Sequence, residues 1–448
     1  MLIPPEAYFL AAAITLLAIA PFVLAPRQGT VVSPRFWFVG AFLVVFVVRP
    51  LYILHDPSFG HIYLRSQLEF PRLVVGGLVV ALAGLTAYWL GYLSPLGRRV
   101  GVAVPVLSQD ISPARWRQAI LGCFLLGLLA YVVFVRSMGG LKELLAILYM
   151  RAAVYEAEET AGPLKELSKL VGVAALLAMH YNLRLKRAWW AWLLLVLGSV
   201  IIGTLGGRGA VAQLWVMTYL LYALAKPRYR SWKFLAALVL GVTVFAAAAL
   251  GARRATKGGL EAAVASVENL PSTITEQVLD TVPMFDQMVA AIQVAGRGIP
   301  FREGSSYFEL IPVMVPRMIW PIETETVGVS LRKVIEPNGI GGRPSSAMGE
   351  GYLNFGFLGA LVPMFVLGVW CRFIQTFMVR SEGKSTIAPL LYTFALFGTL
   401  SLTTGVGPLA LRALLFRLTA CFVAFLWSAR VTRLPQSDAP AESASAVA

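Results

Sequence analysis

The chain has 448 residues, 58% of them hydrophobic and only 14% charged, with a mean hydropathy of +0.73. A soluble domain runs closer to about 45–50% apolar and about 25% charged, so this composition excludes a cytosolic enzyme and a disordered chain alike. A net charge of +15 would suggest nucleic-acid binding in a soluble protein. Here the charge follows the loops between apolar runs, and the chain reads as an all-α polytopic membrane protein with no nucleic acid as partner.

Windows near the roughly 20 apolar residues that cross a bilayer core as a helix fall at 7–25, 37–54, 73–94, 118–135, 170–183, 188–205, 210–225, 234–251, 351–371, 386–404 and 408–428. This pattern predicts about 11 transmembrane helices, with ten or twelve as alternatives because the fifth is short and Gly206–Gly209 allows another division. Residues 1–251 then hold the first eight spans, 252–350 a large loop, 351–428 the last three spans, and 429–448 a tail. The tail is small, polar and rich in Pro, Ala and Ser from Pro435 onward, and disorder is expected there.

Short cytoplasmic loops retain Lys and Arg during insertion. Odd-numbered loops and the tail carry eighteen of them, against eight in the short even-numbered loops. The expected orientation is N-terminus out and C-terminus in. The first span lacks a basic leader and reads as a retained helix rather than a cleaved signal.

Cys123, Cys371 and Cys421 show no paired spacing, and the only histidines are His55, His61 and His180. Neither a disulfide framework nor a metal site is expected, and no cofactor is implied. Trp189, Trp190 and Trp192 suit an aromatic belt at a membrane boundary. On the opposite side, Leu141–Tyr155 has the apolar spacing of a helix lying flat.

The 99-residue loop at 252–350 is the exception among short connections, and loops of this length usually have a function. Its mixed composition predicts a folded outward cap with interfacial helices on the leaflet. Arginines crowd the outward surface: Arg49, Arg136, Arg151, Arg208, Arg253, Arg254, Arg297, Arg302, Arg317, Arg332, Arg343 and Arg412. Guanidinium groups pair bidentately with phosphate oxygens, so a cationic ring at headgroup level would suit a lipid-linked phosphate or pyrophosphate. Each has a plainer alternative. Arg49 and Arg412 could snorkel or pair structurally, and Arg136 and Arg151 could pair with the acids at Glu143, Glu156, Glu158 and Glu159. Arg417, deeper than Arg412 and on another face, is expected to pack against a neighbour.

The densest constellation runs from Pro316 to Gly359. Its turn Gly341-Gly342-Arg343-Pro344-Ser345-Ser346 could offer backbone N–H groups and Arg343 to an anion. Glu350 follows at the mouth of a span, with Tyr352 and Asn354 just beyond. The group supplies cations for a leaving phosphate, a carboxylate for a base, and hydroxyl and amide groups for sugars. Equally, Glu350 could sit there only because a helix N-terminus favours it.

Pro-Arg-x-x-Trp-Pro at Pro316–Pro321, the Gly-Arg-Pro-Ser-Ser turn, and Gly-Glu-x-Tyr-x-Asn-x-Gly at Gly349–Gly356 with Gly359 after it resemble the Wzy-type O-antigen polymerases. Gly206–Gly209 and the Arg253-Arg254 pair are similar to that family too. The resemblance implies a glycosyltransferase, and with no acidic metal cage apparent in the sequence metal-independent catalysis is expected. It would move a growing glycan from undecaprenyl pyrophosphate onto the next lipid-linked repeat unit at the outer face of the bacterial inner membrane. It assigns Arg317 and Arg343 to the departing diphosphate, with Arg208, Arg253 and Arg254 as supports and Arg412 as a membrane-level contact. Arg136 and Arg151 would complete the substrate-binding cations, Tyr352 and Asn354 would hold sugar, and Glu350 would be the base, with Asp280 and Asp286 behind it. Implied partners are membrane lipid, the undecaprenyl-pyrophosphate-linked glycans and a chain-length regulator protein. An O-antigen ligase shares the layout but resembles its relatives in using a histidine in this loop, and residues 252–350 contain none. A flippase or transporter is the non-enzymatic alternative, against which stands the lack of internal symmetry.

Overall fold

The computed structural model describes residues 4–24, 32–141, 143–144, 164–205, 208–231, 233–238, 240–241, 283–309, 326–338, 342, 345–404 and 407–433. In chain order the principal helices are α1 (Pro5–Leu24), α2 (Pro34–His55), α3 (Phe70–Leu93), α4 (Pro95–Ala103), α5 (Pro113–Ser137), α6 (Leu170–Arg184) and α7 (Trp190–Thr204). They continue as α8 (Arg208–Ala225), α9 (Met284–Val294), α10 (Val327–Ile335), α11 (Ser346–Ser381), α12 (Ala388–Thr404) and α13 (Gly407–Ser428). Proline opens α1, α2, α4 and α5, where its fixed φ suits the first turn and its missing N–H costs nothing.

The molecule is an α-helical membrane protein. Five helices, α1, α2, α3, α5 and α11, are long and apolar enough to cross a bilayer, and α7 and parts of α8, α12 and α13 form shorter apolar helices. On α5, Leu121, Leu125, Leu129 and Val132 are at least half exposed, a stripe that water would oppose and lipid tails accept. Of the window at 234–251, only 234–238 and 240–241 fall among the described residues.

Two cores organise the bundle. The first joins α1, α2, α3, α9, α10 and residues 348–371 of α11. The second joins α5, α6, α7, α8, α12 and α13, with Ile374 and Met378 of α11 reaching into it. Between apolar helices in lipid the hydrophobic effect adds little, so close packing decides association. Accordingly α3 and α11 meet through glycine: a Cβ on Gly91 would lie 2.0 Å from the Phe365 carbonyl oxygen, and one on Gly368 2.1 Å from that of Tyr88.

At one end of the bundle the helix termini are tied to each other. Arg380 donates to the carbonyls of Gly101, Val102 and Val104, Arg230 pairs with Glu382, and Tyr392 donates to the Val32 carbonyl. The opposite end carries α9, α10 and the segment 295–309 and holds the candidate site.

Several expectations change. Residues 429–433 of the expected tail form a strand, β2 (Ala429–Arg433), antiparallel to β1 (Leu107–Ile111); residues 434–448 lie outside the described residues. The cap is not only interfacial, since Phe285 to Ala291 of α9 are all buried. This helix is wedged between α3 and α11, with Gly77 of α3 leaving room for Phe285 and Val289. The boundary between residues 350 and 351 falls inside a helix. The true break lies at Phe355 (φ −137°, ψ 21°) and Gly356 (φ 66°, ψ −150°), a conformation reserved for glycine. Of Leu141–Tyr155, residues 141, 143 and 144 are described, and Leu144 is buried.

Candidate functional site

The break in α11 produces a short arm, residues 346–354, folded back on the long one. A Cβ on Gly351 would sit 2.0 Å from the Gly359 carbonyl oxygen, and one on Gly359 2.1 Å from that of Gly351. Only glycine at both places lets the arms touch. Breaking the helix strands the last carbonyls of the short arm, and at membrane depth each unsatisfied backbone group costs several kcal/mol. Three consecutive amides supply partners: Arg302 N–H donates to the Leu353 carbonyl at 3.0 Å, Glu303 N–H to that of Asn354 at 3.2 Å, and Gly304 N–H to Asn354 Oδ1 at 2.9 Å. This geometry requires positive φ at Glu303 (49°) and Gly304 (88°). Among the described residues, Glu303 and Ser346 are the two non-glycine positions with positive φ. Such strain costs about 1–3 kcal/mol and clusters at functional sites.

Glu350 projects from this arm and is 2% exposed. Its Oε1 accepts from Ser306 Oγ at 3.1 Å, while Ser306 Oγ itself accepts from Asn354 Nδ2 at 2.7 Å. The direction of the chain is therefore fixed, amide to hydroxyl to carboxylate. Tyr307 stands within electrostatic range of Glu350; burial first, and that carboxylate second, push its phenol well above the usual range. Arg302 braces the segment from below, donating to Glu309 at 2.6 Å and to Ser330 of α10 at 3.0 Å.

A second buried network lies beside it on α9. Arg49 Nε donates to Asp286 Oδ1 at 3.1 Å and Nη2 to Oδ2 at 2.7 Å. Arg49 Nη2 also donates to the Phe59 carbonyl, and the His61 backbone N–H donates to Asp286 Oδ2 at 3.0 Å. A π-turn at Val44–Val48 immediately precedes Arg49. Pro50, lacking an N–H, cannot complete the α-helical ladder here, a usual cause of such irregularity.

Several assignments are corrected by this geometry. Asp286, 0% exposed, is held by the Arg49 guanidinium and the His61 amide, with no face open to a substrate hydroxyl. Arg49 belongs to that ion pair rather than to a ring of headgroup cations. Arg302 is likewise engaged with Glu309. Asn354 is 0% exposed, and its amide also donates to the Glu350 carbonyl at 2.8 Å; it locks backbone and has no face for sugar. Arg136 is exposed at the end of α5, beside the small cluster of Phe134, Leu144 and Leu205. Arg417 interacts electrostatically with Glu166, in keeping with a packed position.

Glu350 and half-buried Tyr352 remain at the end of the bundle that carries α9 and α10. Ser305–Phe308 lies against α13, the helix that carries Arg412. The side chains of Arg208 and Arg412 are not described, and Arg151, Arg253, Arg254, Asp280, Arg317 and Arg343 lie outside the described residues. Among the described residues no three His, Cys, Asp or Glu side chains converge as a metal ion would need. Sequence reasoning missed Ser306, Tyr307 and Arg302 as neighbours of Glu350. Ser306 and Glu350 are 44 positions apart, and no local pattern links them. Compared with family models, with curated proteins and with solved structures, the chain matches none.

Proposed function

We propose that this protein is a polysaccharide polymerase of the Wzy type, joining lipid-linked oligosaccharide repeat units at the outer face of the bacterial inner membrane. The observation that carries the reading is Glu350: a carboxylate 2% exposed, held on one oxygen by Ser306, on a strained arm at the base of the large loop. A general base must be oriented toward the hydroxyl that it deprotonates. Fixing Oε1 from below orients the carboxylate.

In the proposed reaction the acceptor hydroxyl attacks the anomeric carbon of the donor glycan, its proton passes to Glu350, and the carbon–oxygen bond to undecaprenyl pyrophosphate breaks. Negative charge grows on the diphosphate in an apolar setting, where fixed guanidinium groups stabilise it most. Arg317 and Arg343 are assigned to it first, with Arg208, Arg253, Arg254, Arg151 and Arg412 as further cations and Tyr352 at the sugar. Eleven spans, an outward N-terminus and an inward C-terminus accompany this reading, as does a chain-length regulator as partner. The clustering of Lys and Arg at the end tied by Arg380 and Arg230 supports that orientation.

Inactivating the gene and resolving surface glycans by length tests the proposal. Single repeat units on the surface acceptor are expected. Accumulated lipid-linked polymer would instead identify a ligase, and repeat units trapped inside the cell a flippase.

A further inference from the structure

The turn that ties residues 302–304 to the break in α11 keeps a side chain that the fold itself does not use. Glu303 holds φ 49°, a left-handed conformation that crowds a Cβ and that glycine adopts freely. Ser346, the other non-glycine residue with positive φ among the described residues, is buried, and its hydroxyl accepts from the Gly349 N–H in the first turn of α11. Glu303 has no such role. Only its backbone N–H enters the fold, donating to the Asn354 carbonyl. The side chain is exposed, and its carboxylate makes no hydrogen bond or ion pair among the described residues. Glycine would make the same backbone bond without strain, so the carboxylate is kept for a contact outside the fold.

The surroundings select the kind of contact. The Phe355 ring comes within 3.0 Å of where a Cβ on Gly304 would lie, and the Phe301 ring within 3.8 Å of where one on Gly356 would lie. The two rings flank the turn, yet Phe355 and Phe301 remain 55% and 46% exposed. Exposed Ser305 adds a hydroxyl. A carboxylate only accepts hydrogen bonds, on two oxygens, and an aromatic face attracts weakly positive C–H groups. A sugar ring matches both, with neighbouring hydroxyl donors at its rim and C–H groups on its faces. The same carboxylate repels a phosphate headgroup, and an acyl chain gains nothing from it.

We propose that Glu303, flanked by Phe301 and Phe355, binds a sugar residue of the glycan substrate. The assignment rests on the polymerase reading and supplies the sugar contact that buried Asn354 does not make. The site adjoins Glu350, because Ser306, three residues after Glu303, holds the Glu350 carboxylate.

Thermal unfolding of the purified full chain in detergent tests this, titrated with the repeat-unit oligosaccharide that mild acid releases from the surface of cells in which the gene is inactivated. The oligosaccharide should raise the midpoint saturably. Glu303→Gly should weaken its apparent affinity about tenfold, the loss expected for a hydrogen-bonding charged group. Phe301→Leu, which keeps the bulk but loses the flat face, should weaken it about threefold. Without the oligosaccharide, Glu303→Gly should unfold between the parent midpoint and about 2 °C above it, because the backbone is relieved. In cells the same variant should shorten the surface glycan. A lowered midpoint in unliganded Glu303→Gly assigns the carboxylate to the fold, and unchanged affinity in that variant removes sugar from this surface; either overturns the site, as does a parent that the oligosaccharide does not stabilise. Failure of the polymerase reading shows separately, as unaltered glycan length when the gene is inactivated.

Discussion

The Arg49–Asp286 pair offers the sharpest test of how the end of the bundle around α9 is built. With side-chain exposures of 3% and 0% and contacts of 2.7 and 3.1 Å, neither charge has water to fall back on. Asp286→Asn keeps the shape but leaves the guanidinium without its counter-charge. Breaking a buried pair in this way costs about 3–5 kcal/mol. Replacing both partners, as in Arg49→Met with Asp286→Leu, removes two desolvation penalties together with the attraction, and should recover all but about 1–2 kcal/mol of the loss. The coupling energy in a double-mutant cycle should therefore reach about 2 kcal/mol or more. Unfolding of the detergent-solubilised protein, followed by size-exclusion fluorescence, measures it. Additive single and double effects, or an Asp286→Asn variant as stable as the parent, would refute the pairing. Glycan length supplies a second readout: a folded double variant that still makes long chains removes Asp286 from the chemistry, and one that folds but makes none restores it.

Further outcomes follow from the Glu350 arm and its surroundings. Glu350→Gln, which still accepts from Ser306, should fold normally and lower polymer formation by about 100-fold or more, whereas a merely helix-favouring carboxylate would give a mild defect. Ser306→Ala should destabilise the protein by about 1–3 kcal/mol, because it takes the acceptor from Asn354 and the donor from Glu350; Gly359→Ala should cost about as much by forcing the two arms of α11 apart, and thermal unfolding reads both. For Tyr307, burial and Glu350 together keep the phenol protonated in the fold where an unfolded chain ionises near pH 10. Stability through this group is complete below that pH and falls as pH rises above it, and Tyr307→Phe should remove that part of the alkaline slope in a pH series of unfolding measurements. Arg317→Ala and Arg343→Ala should each abolish long chains while the protein still inserts, and normal chain-length distributions would remove both from the site.

The motif Gly349–Gly356 with Gly359 shows what a sequence pattern can conceal. Read along the chain, its polar members all look chemical. In space Gly349 faces the Met288 backbone of α9, Gly351 and Gly359 press together, Asn354 fastens the amides of Glu303 and Gly304, and Gly356 turns the chain. Most of the motif holds a fold, and Glu350 is left as its buried carboxylate. Asp286 misled in the same way. Its type and loop position suit a base, but its partner is Arg49, 237 positions distant, and no local spacing encodes that distance.

Hydropathy and charge were enough to determine by themselves that this is a helical membrane protein, where many helices begin and end, and that one loop outgrows the others. Those properties are summed along the chain, one window at a time, because transfer into lipid depends on local composition. Only the tertiary structure decided which arginines are neutralised, which amide fastens backbone rather than facing outward, that α9 is buried instead of lying on the leaflet, and that the last described strand pairs with residues 107–111. Each of these depends on which groups meet across hundreds of residues, and a buried charge or amide takes its role from the partner that satisfies it.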